Sequence, residues 1–474
     1  VRIWLLAALT ALALPACDSA GATLPHACTL KPPAVTDWHL HTDGTVLRDA
    51  LGRVVFLRGV DAGGRSKFSP YMPFEYASEA DFPAALASYM DRAASWGIDS
   101  MRVPWTWAAL EPTLGQYDMD WLGRYKQLLA AAWARGIYTV VDFHQDVYSE
   151  CLCGDGFPCW TLQNPMAPAH DCPLWSAEYS NNPDVVHAFD EFWAVGGSVQ
   201  MGYLAAWDTM IAAFASEPGV VGFEPINEPS SGSENPATFE ATTLAAFFTR
   251  MITHFTALAP STLVFVDDTG VAGTLVETTM TRPAGNFVFA PHFYPIINPL
   301  PEKVLPLMQT WSKLGAQWNV PVWVGEFGMS HTDARAPDYM TAHFAALDAL
   351  GLGGTEWEYS VESTEWNSET DSIVAADGSE YPVAQAIIRP YARAVAGSAV
   401  SQSYSPDTST FTASWTPATG VTEIAVPVRA YPAGTSVSLS QGCYDATSVP
   451  GKILVDAEGF SAPVTLTVKS AAGH

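Results

Sequence analysis

Ala132-Trp133-Ala134-Arg135-Gly136-Ile137-Tyr138-Thr139-Val140-Val141-Asp142-Phe143-His144-Gln145-Asp146 carries the fold in miniature. An amphipathic segment stops at Gly136, and glycine after the last helical turn is a common stop signal. A β-branched and aromatic run, 138–143, follows as a strand and closes on polar residues. The same rhythm recurs along the chain, with Ala93-Ala94-Ser95-Trp96-Gly97 as another helix end. Strand runs fall at 54–60, 100–103, 138–143, 220–225, 263–266, 287–290, 322–325 and 353–357. Eight strands alternating with helices predict a (β/α)₈ TIM barrel with long insertions. A doubly wound sheet would call for a glycine-rich phosphate loop after its first strand, and the sequence offers none.

Outward from the barrel, residues 43–52 read as a hairpin that leads into the first strand and plugs the barrel bottom. After Pro390 the helical period vanishes, and alternating stretches at 422–428, 436–439 and 464–468 suggest a small β-sandwich. The expected division is a targeting segment over 1–17, a catalytic barrel over 30–397 and a β-sandwich over 398–474. Buttressing the barrel is the expected job of the sandwich, and a separate sugar-binding module is the alternative.

The chain has 474 residues, 48% hydrophobic and 15% charged, enough for a large core and too apolar for disorder. Its 49 acidic and 22 basic residues give a net charge of −27. That surface excludes nucleic acid and anionic membranes as electrostatic partners, while leaving neutral lipids and sugars open. At the start, Arg2 precedes an apolar run from Ile3 to Leu14, signal-peptide length and too short to span a bilayer. Leu14-Pro15-Ala16-Cys17 resembles a bacterial lipobox, which implies export and a lipid tether at Cys17. Cleavage near Ala16 or Ala22, with Cys17 incidental, is the other reading. Seven cysteines suit an oxidising compartment. Cys151, Cys153, Cys159 and Cys172 are expected to brace one long loop with one or two disulfides, zinc being the competing use. Cys28 and Cys443 can join the start of the chain to its end.

A barrel gathers its chemistry at the strand C-termini. Strand two ends in Arg102, strand three in Asp142-Phe143-His144-Gln145-Asp146, and strand four in Asn227-Glu228-Pro229. Strand six ends in His292-Phe293-Tyr294, strand seven in Gly325-Glu326-Phe327-Gly328, and strand eight in Glu356-Trp357. Two glutamates far apart in sequence can thus face each other over one pocket. Paired carboxylates are what glycosidic cleavage needs: one protonates the leaving oxygen and the other meets the developing positive charge. Arg102 and the Tyr294 hydroxyl suit an ionised Glu326, while burial beside a second carboxylate would keep Glu228 protonated. Asn227 can hold a sugar 2-hydroxyl, Trp357 can floor the subsite, and Asp142, His144 and Asp146 are candidates for hydroxyl contacts. Glu224, Asp267, Asp268 and Glu356 read as mainly structural. Trp105, Trp107, Trp160 and Trp366 are either sugar platforms or packing.

Asn-Glu-Pro after strand four and Gly-Glu-Phe-Gly after strand seven resemble clan A and, within it, glycoside hydrolase family 5. That resemblance implies Glu228 as acid/base and Glu326 as nucleophile, with Arg102, His144, His292, Tyr294 and Trp357 in the family's positions. A narrower likeness lies in Asp142-Phe143-His144-Gln145-Asp146-Val147-Tyr148-Ser149, then Gly154-Asp155-Gly156-Phe157-Pro158 and Trp160. It resembles the endoglycoceramidase branch, which cuts between oligosaccharide and ceramide. Loop 63–74, with Lys67 as a further substrate-binding candidate, and the Cys-rich residues 151–175 depart from that pattern. The departures leave endogalactosylceramidase and steryl-glucosidase relatives open.

Two apolar stretches, Tyr294-Pro295-Ile296-Ile297-Asn298-Pro299-Leu300-Pro301 with Val304-Leu305-Pro306-Leu307-Met308, and loop 68–76, are expected to wall in a ceramide or sterol. The expected function is retaining endo-β-glycosidase action on glycosphingolipids by a monomer, with no metal or cofactor. The alternatives are another family 5 β-glucosidase or glucanase, a steryl-glucosidase, and, outside enzymes, a tethered carbohydrate-binding lipoprotein.

Overall fold

The computed structural model describes residues 26–270, 277–294, 300–361 and 363–471. The expected targeting segment and Cys17 lie outside them. Eight parallel strands form the barrel: Arg58–Asp61, Ser100–Trp105, Tyr138–Phe143, Val220–Glu224, Leu263–Val266, Val288–Phe289, Trp323–Phe327 and Gly353–Glu356. Bridges from Phe289 to Val322 and from His292 to Glu326 close the ring between strands six and seven. The helices wrap outside, and several stop where the sequence places glycine. Gly97 caps Phe82–Trp96 and Gly351 caps Ala336–Leu350, both left-handed.

The first strand differs from expectation. Val54–Val55 is not a barrel strand. It pairs with Val46–Arg48 on one side and Tyr391–Val395 on the other. The barrel begins only at Arg58, because the two valines are claimed by sheet partners remote in sequence. The hairpin His41–Asp43 and Val46–Arg48 joins the same sheet, and Leu40 and Leu47 pack on Tyr138, Val221 and Phe265 at the barrel floor.

That sheet has eight strands, drawn from both ends of the chain: His26–Ala27, Cys443–Asp445, Lys452–Asp456, Val421–Ala425, Tyr391–Val395 and the three strands just described. A second, four-stranded sheet (Gly397–Ser405, Thr410–Pro417, Val464–Ser470, Thr435–Leu439) covers it. Phe411, Trp415, Leu466 and Val468 meet Val54, Ile424, Ile453 and Val455 in one apolar layer. The Cys28–Cys443 disulfide pins the edge of the eight-stranded sheet. Cys151–Cys159 and Cys153–Cys172 brace the long loop after strand three. Among the described residues no helix is long and apolar enough to cross a membrane.

Candidate active site

At the C-terminal rim a cavity of about 520 Å³ opens among Lys67, Asp146, Trp175, Asn227, Glu228, Tyr294, Glu326 and Trp357. Arg102, fully buried on strand two, organises its floor. Its Nε donates to Glu224 (2.7 Å), Nη1 to Glu326 Oε1 (2.6 Å), and Nη2 to Asn227 Oδ1 (2.9 Å). Asp61 and Asp142 lie at 3.3 and 3.1 Å from the same guanidinium. Tyr294 donates its hydroxyl to the other oxygen of Glu326 (3.0 Å). Glu326 therefore takes two donors, guanidinium and phenol, that complement a negative charge.

Glu228 sits opposite, and His292 Nδ1 lies between the pair, 2.9 Å from Glu228 Oε1 and 3.5 Å from Glu326 Oε2. One oxygen from each glutamate and that nitrogen all fall within 4.8 Å of one another. A retaining pair is spaced about 5–5.5 Å apart, and an inverting pair about 6.5–9.5 Å. Burial, with Asp146 adding repulsion, pushes the Glu228 carboxyl up to about 7. Burial also holds the His292 imidazole down to about 4, so it is neutral at ordinary pH. The backbone at Glu228 is left-handed (φ 37°), a conformation that non-glycine residues reach only under restraint. Gln145 supplies part of that restraint, donating from Nε2 to the carbonyls of Asn227 (2.9 Å) and Glu228 (3.1 Å).

A second charge group forms the wall beside Trp357. Lys67, in the turn Gly64–Lys67, donates to Asp146 (2.7 Å) and Glu369 (2.9 Å) and lies over the rings of Trp366 and Trp357 at 4.0 and 4.5 Å. Burial works against the Asp146 charge, yet Lys67 and His144 outweigh it and bring the carboxyl down to about 2. His144 stacks on Trp357 (5.0 Å between centroids) and contacts Asp142 at 2.8 Å. Although burial opposes the imidazolium, Asp142 and Asp146 raise His144 well above its ordinary value.

All eleven residues singled out in the sequence converge here, in two layers. Lys67, Asp146, Asn227, Glu228, Tyr294, Glu326 and Trp357 line the cavity. Arg102, Asp142, His144 and His292 are buried beneath it and hold those that do. Trp175, Tyr179, Thr269, Gly270, Glu369 and Asp371 also line it and escaped the sequence reading. Trp175 follows Cys172, whose pairing with Cys153 was the available signal. Glu369 and Asp371 stand in an acid-rich run after strand eight, which offered no pattern to tell wall from surface.

The tryptophans expected as platforms sort differently. Trp105, Trp107 and Trp366 are buried in packing, and Trp160 lies edge-on to Trp107. The greasy wall expected from loop 68–76 is overturned: Phe68, Met72 and Phe74 turn into the protein, where they are worth more than at a wet rim. Of the other apolar stretch, residues 295–299 lie outside the described residues. From Pro301 the chain is a helix to Trp318, burying Val304 and Met308 and exposing Leu305 and Leu307.

Comparison with known proteins agrees with this geometry. The family model described as Cellulase (glycosyl hydrolase family 5) matches residues 66–363, and the Glycoside hydrolase family 5 C-terminal domain model matches residues 389–468. Endoglycoceramidase I of Rhodococcus hoagii (strain 103S) is 29% identical, the match covering 92% of this chain and 89% of that protein. The structure of endo-glycoceramidase II from Rhodococcus sp. in a ganglioside GM3 complex is 27% identical. It covers 91% of this chain and 100% of that one at a TM-score of 0.73. The crystal structure of an endogalactoceramidase, 21% identical with a TM-score of 0.68, shares the fold.

Proposed function

This chain belongs to glycoside hydrolase family 5, and on that premise we propose a retaining endo-β-glycosidase that frees an intact oligosaccharide from the ceramide of a glycosphingolipid. The observation that carries the chemistry is the Glu228–Glu326 pair, one oxygen of each within 4.8 Å of the other beside His292. In this reading Glu326 attacks the anomeric carbon while Glu228 gives its proton to the leaving oxygen. Water then enters, Glu228 takes its proton, and the sugar leaves Glu326 with its configuration retained. Arg102 and Tyr294 steady the nucleophile, and Asn227, Asp146, Lys67 and Trp357 seat the sugar.

The ceramide aglycone is supported by the endoglycoceramidase relatives, whose likeness runs through barrel and C-terminal sheets alike. Three disulfides accord with work outside the cytoplasm, and we place Cys17 as a membrane tether there. An acyl chain on Cys17 in protein from the native host would bear this out, and an unmodified cysteine would remove the tether.

The deciding experiment offers ganglioside, lactosylceramide, galactosylceramide, steryl glucoside and cello-oligosaccharide side by side and weighs the products by mass. Intact oligosaccharide plus ceramide is the expected result. Steryl glucoside or glucan cleavage alone would reassign the substrate and leave the chemistry standing.

A further inference from the structure

Strand five ends in Asp267-Asp268-Thr269-Gly270, a run of acids that the catalytic reading above does not use. Asp267 is fully buried, and none of the ion pairs among the described residues brings a lysine or arginine to it. A buried carboxyl without a cation is costly unless hydrogen bonds satisfy it. Its Oδ2 accepts the backbone N–H of Glu228 (3.0 Å), and its Oδ1 accepts that of Asp268 (2.7 Å). The same Oδ2 lies 3.4 Å from His292 Nε2, the ring nitrogen that has no hydrogen-bond partner among the described residues. The opposite nitrogen of that ring is the one touching Glu228 Oε1.

We propose that Asp267 is a positioning residue for the acid/base: it holds the left-handed backbone of Glu228 by its N–H and stands behind the imidazole against which the Glu228 carboxyl rests. The grip is two-sided, since Gln145 binds the Glu228 carbonyl while Asp267 binds its amide. Gly270, three residues on, keeps the third side open; a Cβ there would come within 2.5 Å of Glu228 Oε2. The strand-five end thus fixes where the proton is delivered without touching the substrate through Asp267 itself.

This inference rests on Glu228 being the acid, and the test separates the two. A general acid matters for a poor leaving group such as ceramide and little for a good one such as 2,4-dinitrophenolate. Lactosylceramide and dinitrophenyl β-lactoside are therefore compared for wild type, Glu228→Gln, Asp267→Ala and Asp267→Asn. For Asp267→Ala the expected result is a drop of about 100-fold or more in kcat/KM on the glycolipid and less than about threefold on the aryl glycoside. Asp267→Asn should fall between, because an amide can accept only one of the two N–H groups. Equal losses on both substrates in Asp267→Ala would overturn the positioning role, as would failure of both Asp267 variants to fold. If Glu228→Gln itself spares neither substrate preferentially, the acid assignment fails first.

Discussion

Under the cavity one cation, Arg102, faces four carboxylates: Asp61, Asp142, Glu224 and Glu326. At the other end of the barrel, where the composite sheet begins, Glu423 faces three cations, Arg53, Arg393 and Lys452, and Asp49 and Asp99 share the two arginines. One group is short of cations and the other has a cation for each acid, and the protons of Glu224 and Glu423 differ accordingly. Burial raises Glu224 to about 7 despite Arg102. Burial also works on Glu423, but its three cations outweigh it and bring the carboxyl down to about 2. A network short of cations keeps protons available for chemistry. Where three cations converge on one acid, as at Glu423, the acid is held ionised and joins two parts of a fold. Buried charge as such does not mark a catalytic centre; its imbalance does.

The sharpest way to break this contrast is at the nucleophile. Glu326→Ala removes one acid from the crowded side, and kcat/KM is expected to fall by about 10⁴-fold or more with the melting temperature kept. Azide added to that variant should yield a glycosyl azide of inverted configuration, and substantial residual hydrolysis would contradict the assignment. Arg102→Met comes next, leaving four carboxylates around an empty centre. Activity should vanish and stability drop by about 3–5 kcal/mol in denaturant titration. Glu423→Ala should cost less, about 1–3 kcal/mol, since Lys452 loses its carboxylate while Arg53 and Arg393 keep Asp49 and Asp99, and kcat/KM per folded molecule should stay at the wild-type level. Should Glu423→Ala instead impair turnover, the two networks are not separable.

The smallest effect is on pH dependence, and it has opposite signs at the two sites. Glu423 is lowered from 4.5 to about 2, so its contribution to stability is complete above the ordinary value and is lost as the pH falls toward 2. Glu224 and Glu228 are raised from 4.5 to about 7, so between those values the folded state holds more protons than the unfolded one. Stability should therefore decline as pH rises through that window, and thermal melts across it should show the slope. Glu228→Gln should flatten part of the slope.

Features set by neighbours in sequence were legible from sequence. Strand runs, glycine stops and the polar residues that end each strand placed Arg102, Asn227, Glu228, His292, Tyr294 and Glu326 on one rim. Features set by distant partners were not. Val54–Val55 looks like the start of a barrel strand, and only Tyr391–Val395, far along the chain, shows that it belongs elsewhere. Trp175 reaches the cavity on a loop whose course depends on Cys153–Cys172, and Lys67 finds Asp146 and Glu369 across three separate loops. Apolarity alone likewise failed for Phe68, Met72 and Phe74, because a greasy loop can serve the interior as well as a ligand.

The Cys28–Cys443 bond closes the chain over 415 residues into what is, covalently, almost a ring. A protease that cuts one loop within that span does not release a fragment, since both pieces stay linked at the sheet edge. A first nick would thus leave the molecule in one piece. On a gel such a nicked molecule would run as one band until reduced, then as two.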